Sequence, residues 1–425
     1  MKAQVIVLGG GCGGLWLLYE LAKRHYCSVL IDGPNIGGFA STRNQSWLHT
    51  GAFYALADQT FVAQQCVLGR KALLEFCNQW APGAIADQSQ KDESRCFILF
   101  EEHGQVVRKK KKLQTLGIQA DILDEQALKE AEPILSSGVG RSTPLRWGLR
   151  TLDAPFDSFR VMQGLVNAAF SHGDSAFYGH IPGDLSTLSV SKSDGGDWRV
   201  SCEAFTVEAP IVVCAAGALN ASILHKNTGS AAGLTIQKCF VAVFHEQLCK
   251  NILVVRSADS GYPNLVPFAG GTTVNLGALD RRVTDPADGK PWAEPYADLS
   301  RQLSHFFPGV VRLPACLVHF YVCQKLNNTN HERNPYPLDR YAHRHFFWLE
   351  EPDNMFYFYP GKFTTAPIAG SEFAKKLIGM LGSPRKPVDP LVHTPPSLVQ
   401  RVYLSQASHY TSISNKMLTF EKLDG

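Results

Sequence analysis

Paired cysteines are missing from this sequence. The eleven cysteines are odd in number and no two fall in a C-x-x-C spacing. Neither a disulfide framework nor a zinc site is expected, and reduced thiols in a cytoplasm fit better. Long apolar runs are missing as well. No stretch approaches the roughly 20 apolar residues that span a bilayer, and the opening MKAQVIVLGGG breaks into glycines after too short an apolar run for a signal peptide. Strong charge of either sign is also absent. The formal net charge is +3, which gives little footing for a nucleic-acid partner. Charged residues make up only 19% against 45% apolar, so a large core is expected and wholesale disorder is not. The chain reads as soluble and cytoplasmic, touching at most a membrane surface. Its 425 residues allow two or three domains of roughly 100–200 residues each.

What is there begins with glycine. The stretch QVIVLGGGCGGLWLLYELAKRHYCSVLIDG reads as strand, turn, helix and strand. Val5 to Leu8 is a continuous apolar run, as in a strand buried on both faces of a parallel sheet. Gly9, Gly11 and Gly14 fit G-x-G-x-x-G: the first for a sharp turn, the second for close approach of a pyrophosphate, the third for helix-on-strand packing. A helix is expected from about Gly14 to His25, with Leu15, Leu18, Leu21 and Ala22 on one face. Its N-terminus offers N–H groups and a positive dipole end to phosphate. Val29 to Ile31 is the second strand, and Asp32 at its end can accept the hydroxyls of a ribose. Together these features predict a dinucleotide site, open at this point between NAD and FAD. A nicotinamide enzyme would continue in regular strand–helix units, whereas this chain turns to GPNIGGFASTRNQSWLHTGAFYALADQT.

The segment STRNQSWLHTGAFY resembles the D-amino-acid-oxidase-like superfamily of FAD enzymes. Within it the resemblance is to L-2-hydroxyglutarate dehydrogenases and oxidases and to FAD-linked glycerol-3-phosphate dehydrogenases. Ser41, Arg43, Asn44, His49, Gly51 and Tyr54 take the places of the family's motif. Further stretches are similar in the same order: FVAQQCVLGRKALLEFCNQW, ILDEQALKEAEPIL, LDAPFDSFRVMQGLVNAAF, IVVCAAGALNASIL, NLVPFAGGTTVNLGALD and PGKFTTAP. The resemblance implies FAD as cofactor. The residues implied to hold it are Gly9, Gly11, Cys12, Gly13, Gly14, Asp32, Ser41, Thr42, Arg43, Asn44, His49, Gly51, Gly217, Gly361, Lys362, Phe363 and Thr364. No metal is expected.

The implied fold is α/β: a Rossmann-type FAD-binding domain with a second, α+β substrate domain built on an antiparallel sheet. The FAD domain would be discontinuous, from 1–85, 150–230 and 340–382. The substrate domain would take 86–149 and 231–339, where KCFVAVFHE, NILVVRS, TTVNLGALD and CLVHFYVCQKL are short β-rich runs. Residues 383–425 read as a proline-rich linker and tail. In FYFYPGKFTTAPIAG a strand, a Pro360-Gly361 turn and a new helix are expected. Thr364 or Thr365 would cap that helix and Pro367 would lie in its first turn. Free N–H groups there and the charge of Lys362 would support a reduced flavin. The basic run Arg108 to Lys112 is either a solvated helix face or a contact with anionic lipid, worth about 1 kcal/mol per basic residue.

The family implies hydride transfer from a small-molecule substrate to the flavin, with a base for the hydroxyl proton and a cation for an anionic group. His49 is the base candidate, since histidine titrates near neutrality. Covalent flavin attachment at His49 and a purely packing role are the alternatives. Where the family has an anion-binding arginine, VCQKLN offers Lys325, a point charge without arginine's fork. The resemblance therefore does not carry either of its two named substrates to this chain. Arg281 and Arg282 are either a second source of charge or part of a solvated loop. Aromatics around Phe306-Phe307, Phe320-Tyr321, Phe346 to Trp348 and Phe356 to Tyr359 would be mostly core, with some lining a bulkier pocket. The expected activity is an FAD-dependent oxidoreductase acting on the secondary alcohol of a hydroxy acid or polyol. An amine or amino-acid oxidase and a non-catalytic flavin-binding subunit are the alternatives. Oxygen, a quinone or a protein could reoxidise the flavin.

Overall fold

The computed structural model describes residues 1–33, 36–38, 40–42, 44–85, 95–136, 145–173, 175–181, 185–228, 234–244, 246–256, 263–268, 271–276, 281–283, 294–307, 318–328 and 346–386. Arg43, the run 340–345 and the tail from 387 onward, all included in the expectations above, lie outside the described residues.

The apolar run Val5–Leu8 is the inner strand of a six-stranded sheet. Its spatial order is Phe347–Glu351, Met355–Tyr359, Ile211–Cys214, Val5–Leu8, Ser28–Asp32, Ala176–His180. All neighbours run parallel except the first two, which form an antiparallel hairpin. Strands buried on both faces need no polar alternation. Val5 and Val7 enter one core cluster, while Ile6 and Leu8 enter the cluster on the opposite face. The first cluster holds the helices Cys12–Ala22, Ser158–Phe170 and Ala366–Leu381 against the sheet.

The first helix starts at Cys12 rather than Gly14 and ends at Ala22 rather than His25. All eleven of its residues are buried, not one face only. The Ala366–Leu381 and Ser158–Phe170 helices pack on the sides that amphipathic spacing leaves to solvent. Gly14 permits its close seating: a Cβ there would lie 1.9 Å from the Gly9 carbonyl oxygen.

A nine-stranded sheet forms the second layer. Its main path runs Arg281–Val283, Leu234–Phe244, Gly271–Leu276, Pro263–Phe268, Ile252–Val255, Cys96–Phe100, Trp147–Thr151, Asp121–Leu123, and Val318–Asn328 pairs with Leu234–Phe244. The sheet is antiparallel, as expected, at every junction but one. Ile252–Val255 and Cys96–Phe100 run parallel, a pairing that the long connection between them permits and a tight hairpin would not. The aromatic residues Phe306, Phe307, Phe346, Phe347 and Phe356 to Tyr359 are all buried in the core clusters. They build the scaffold rather than a bulky pocket.

Two short pieces matter most for the site. Trp47–Leu48 pairs antiparallel with Ala154–Pro155, Leu48 standing opposite Ala154. That small ladder brings the residues just after Leu48 against the residue just before Ala154.

Candidate active site

The glycine turn is built as a cradle. Gly9 has φ +106°, a left-handed value that glycine tolerates. Its N–H donates to the Ile31 carbonyl at 2.9 Å. The Asp32 carboxylate accepts from Gly10 N–H at 2.7 Å and from Gly33 N–H at 2.8 Å. Its oxygens therefore brace the turn. Burial pushes this carboxyl up to about 6, and the two N–H donors oppose that rise. Ser41 Oγ accepts the Cys12 N–H at 2.8 Å and tethers the following loop to the start of the first helix. Burial drives the Cys12 thiol well above its usual range, so it acts as a small apolar group. A Cβ on Gly10 or Gly13 would meet Asp32 or Pro360 at 2.8 or 2.9 Å. The first helical turn carries no acidic residue. A backbone-lined cradle at an unopposed helix N-terminus fits the diphosphate of a dinucleotide.

Beyond the cradle, Thr42 Oγ1 donates to Gly37 O at 2.6 Å. Asn44 shapes its loop by donating to Ser41 O at 2.6 Å and accepting from Ser46 N–H at 2.7 Å. Gly217 has φ +59° just after the Ile211–Cys214 strand. That turn is held by Asn220, which accepts from Ala216 N–H and donates to Cys214 O.

The late segment behaves differently from its sequence-based expectation. Gly361 makes the turn with φ +72°, and Pro367 lies in the first helical turn. Thr365 occupies the cap position without capping the helix through its side chain. Its hydroxyl accepts from Lys362 N–H at 2.9 Å and donates to Pro360 O at 2.7 Å. The N–H groups of Thr365 and Ala366 bond back to Lys362 O. Those donors are used within the turn and are not free. The positive potential there belongs to the helix dipole and to the Lys362 ammonium. Thr364 faces the other way, its Oγ1 accepting the His49 N–H at 3.2 Å.

Asn44, His49, Lys362, Phe363 and Thr364 meet on one cleft, joined by Gln45, Trp47, Phe156, Cys239, Val241 and Asn275. The space it encloses is about 110 Å³, smaller than the roughly 300–1,000 Å³ of sites that take up a whole drug-sized ligand. Lys325 lies on the Val318–Asn328 strand in register with Gln237, two positions from Cys239. The glycine cradle, Ser41 and Gly217 gather instead at the C-terminal ends of the parallel strands, where ligands of open α/β sheets bind.

His49 is 8% exposed and is held on several sides. Tyr54 Oη is 3.2 Å from its Nε2, and the Trp47 ring lies 4.3 Å away, centroid to centroid. Its Nδ1 is 3.8 Å from Oδ1 of Asp153. Asp153 is wholly buried. Its Oδ1 accepts from Trp47 Nε1 and Thr50 N–H, each at 3.0 Å. Its Oδ2 accepts from Thr151 Oγ1 at 2.7 Å and from Thr50 Oγ1. Burial raises this carboxyl above its usual range, and those donors pull it back down. Gly51, with φ +96°, opens the Ala52–Leu56 helix that carries Tyr54. The C-terminal carbonyls of that helix are braced by two cations: Arg256 donates to Phe53 O at 2.8 Å and Lys109 to Leu56 O at 3.2 Å.

Asp153, Trp47, Thr50 and Asn275 were not among the residues singled out from the sequence. One signal for Asp153 was available: in LDAPFD a second acid precedes the helix start, although Asp157 alone caps that helix.

Comparisons with known proteins show the family and, separately, the fold. The profile of the family described as FAD dependent oxidoreductase (DAO) matches residues 4–376. The anaerobic glycerol-3-phosphate dehydrogenase subunit A1 of Haloferax volcanii is 25% identical over 304 residues, covering 67% of this chain and 47% of that protein. The chain thus spans about half the length of this curated relative. Among solved structures, the dithionite-reduced L-alpha-glycerophosphate oxidase of Mycoplasma pneumoniae with FAD bound is 16% identical with a TM-score of 0.68, covering 93% of this chain and 99% of that one. Glycine oxidase from Geobacillus kaustophilus is 18% identical with a TM-score of 0.62, covering 92% and 96%. At those identities the two structures establish the fold alone.

Proposed function

The chain belongs to the DAO family of FAD-dependent oxidoreductases, with FAD as its cofactor, and on that premise we propose that it oxidises a secondary alcohol of a hydroxy acid or polyol. FAD, when bound, accepts a hydride from the substrate carbon. The accompanying hydroxyl proton needs an acceptor, and His49 is that acceptor. The observation that carries this reading is His49 in the cleft wall with the buried Asp153 carboxylate 3.8 Å behind it. An imidazolium formed there is stabilised by that charge. Alcohol oxidation requires such a base, whereas a neutral amine can lose hydride without one. The name of the Haloferax relative points the same way.

The remaining residues take supporting roles. Gly9, Gly11, Cys12, Gly13 and Gly14 hold the diphosphate by backbone and helix dipole, with Asp32 and Ser41 bracing the turn. Thr42, Arg43, Asn44, Gly51 and Gly217 shape the remainder of the FAD site. Gly361, Lys362, Phe363 and Thr364 form its late wall, where the Lys362 ammonium favours negative charge on the reduced cofactor. Lys325 supplies the cation for an anionic substrate group. The FAD domain comprises 1–85, 150–230 and 340–382, and the substrate domain 86–149 and 231–339. Among the described residues no helix is long and apolar enough to cross a membrane. Contact with a membrane surface falls to Arg108, Lys110 and Lys111, since Lys109 bonds Leu56 O and Lys112 pairs with Asp58.

The test is anaerobic addition of hydroxy acids, polyols and amines to the FAD-loaded protein while its flavin absorbance is followed. Bleaching by an alcohol substrate is expected, slowed on the order of 10²–10⁴-fold by His49→Gln. Bleaching by amines alone, unaffected by that substitution, would replace this reading with amine oxidation.

A further inference from the structure

We propose that Asp153 is a positioning residue for His49, fixing its neutral ring in the Nδ1–H tautomer so that Nε2 carries the proton-accepting lone pair. This rests on the reading of His49 as the base. The geometry supplies the reason. Nδ1 lies 3.8 Å from Asp153 Oδ1, a separation at which charge acts even without a hydrogen bond. A lone pair on Nδ1 would face the carboxylate and be repelled, while an N–H there is attracted. Burial raises this carboxyl, and four donors, from Trp47, Thr50 twice and Thr151, oppose that rise by occupying its oxygens and so favour the charged form. Trp47 joins both partners, bonding Asp153 and packing against the imidazole with the two rings tilted 41° to each other.

Tyr54 completes the arrangement. With Nδ1 protonated, Nε2 is an acceptor and Tyr54 Oη donates to it across 3.2 Å. Tyr54 holds the one lone pair of Nε2, so the substrate proton reaches the ring through the phenol: Tyr54 passes its own proton to Nε2 and takes the substrate's in its place, and the cation that results lies beside Asp153. The proton comes from the substrate hydroxyl, and the hydride on the carbon that bears it would pass to bound FAD, so the alcohol becomes a ketone, the flavin is reduced and the histidine gains one charge.

Other ionisable groups surround this unit. Lys362 Nζ sits 5.8 Å from the Tyr54 ring centre. Arg70 feels the charges of Asp153 and Arg95. The buried thiols of Cys66 and Cys96 are raised further by Asp153. Asp153 could instead serve only as a tie between the Trp47–Leu48 ladder and Thr151, in which case the ring would be indifferent to it.

The experiment is ¹⁵N-histidine NMR on the FAD-loaded protein as a function of pH, with the His49 signals identified by their loss in His49→Gln. The wild-type protein should show the Nδ1–H tautomer at high pH. In Asp153→Asn the His49 pKa should fall by about one unit or more and the tautomer should become mixed. The pH profile of flavin bleaching should shift with it. An Nε2–H tautomer in the wild type overturns the proposal without any variant, so failure of Asp153→Asn to fold leaves the test intact. An unchanged His49 pKa in a folded Asp153→Asn protein overturns it equally. Neither reading needs substrate, so absence of bleaching by alcohols would count against the proposed function alone.

Discussion

Asp32 is a carboxyl that folding makes harder to ionise. Burial raises it from 3.8 to about 6, so its stabilising contribution is present below the unfolded value and is lost as pH rises through about 6. Two units correspond to about 3 kcal/mol. FAD-free protein should therefore gain stability between pH 7 and pH 4 relative to Asp32→Asn, measured by urea denaturation at each pH. A difference between the two proteins that does not vary with pH would contradict this. At this scale the sequence was legible where structure is local: Gly9, Gly14 and Asp32 lie within one strand–turn–helix–strand unit, although Asp32 braces the turn where a ribose contact was expected. Asp153 was not legible, because its partners Trp47 and Thr50 stand 106 and 103 residues away. Thr365 was half legible. Its place beside the turn is readable, but whether a hydroxyl serves the helix or the turn depends on geometry that no residue type specifies.

Among the elements, close approach rather than capping sets the tolerances. A Cβ at Gly14 would strike the Gly9 carbonyl at 1.9 Å, and one at Gly69 the Thr364 carbonyl at 2.1 Å. Both obstacles are backbone and cannot swing aside. Gly217 is the contrast: nothing lies within 4 Å of its Cβ position, and only its φ of +59° opposes substitution. Gly217→Ala should cost about 1 kcal/mol, whereas Gly14→Ala should cost on the order of 4 kcal/mol and abolish flavin binding. Denaturation curves and the yellow colour of the purified variants check both. The basic run shows why periodicity reads an element but not its purpose. It does form a helix, His103–Thr115, yet Lys109 and Lys112 turn toward Leu56 and Asp58. Those contacts steady the short helix that carries Tyr54. The unmatched parallel pair at Ile252–Val255 and Cys96–Phe100 was illegible for a related reason, since strand direction is set by connections outside either strand.

For the molecule as a whole, the candidate FAD site draws on residues from Gly9 to Thr364. A ligand that touches so much of the chain only when it is folded stabilises the fold by mass action, by about 4 kcal/mol at a thousandfold excess over its Kd. FAD should therefore raise the thermal midpoint as a function of its concentration, and a midpoint independent of added FAD would show that the site is not assembled as described. The fold class was the most legible feature of all, because the resemblance in a shared order of motifs implies the whole architecture, where the glycine turn alone reads one strand–turn–helix–strand unit.

One detail of that sheet reaches into how the protein is made. Met355–Tyr359 lies between Ile211–Cys214 and Phe347–Glu351, yet the ribosome delivers it after every other strand of the sheet. Until then Ile211–Cys214 is an open edge, buried on both faces in the finished protein but unpaired along one side of the nascent chain. An apolar open edge invites pairing with other chains. The newborn protein is thus most exposed to aggregation during the long stretch of synthesis between residues 214 and 355.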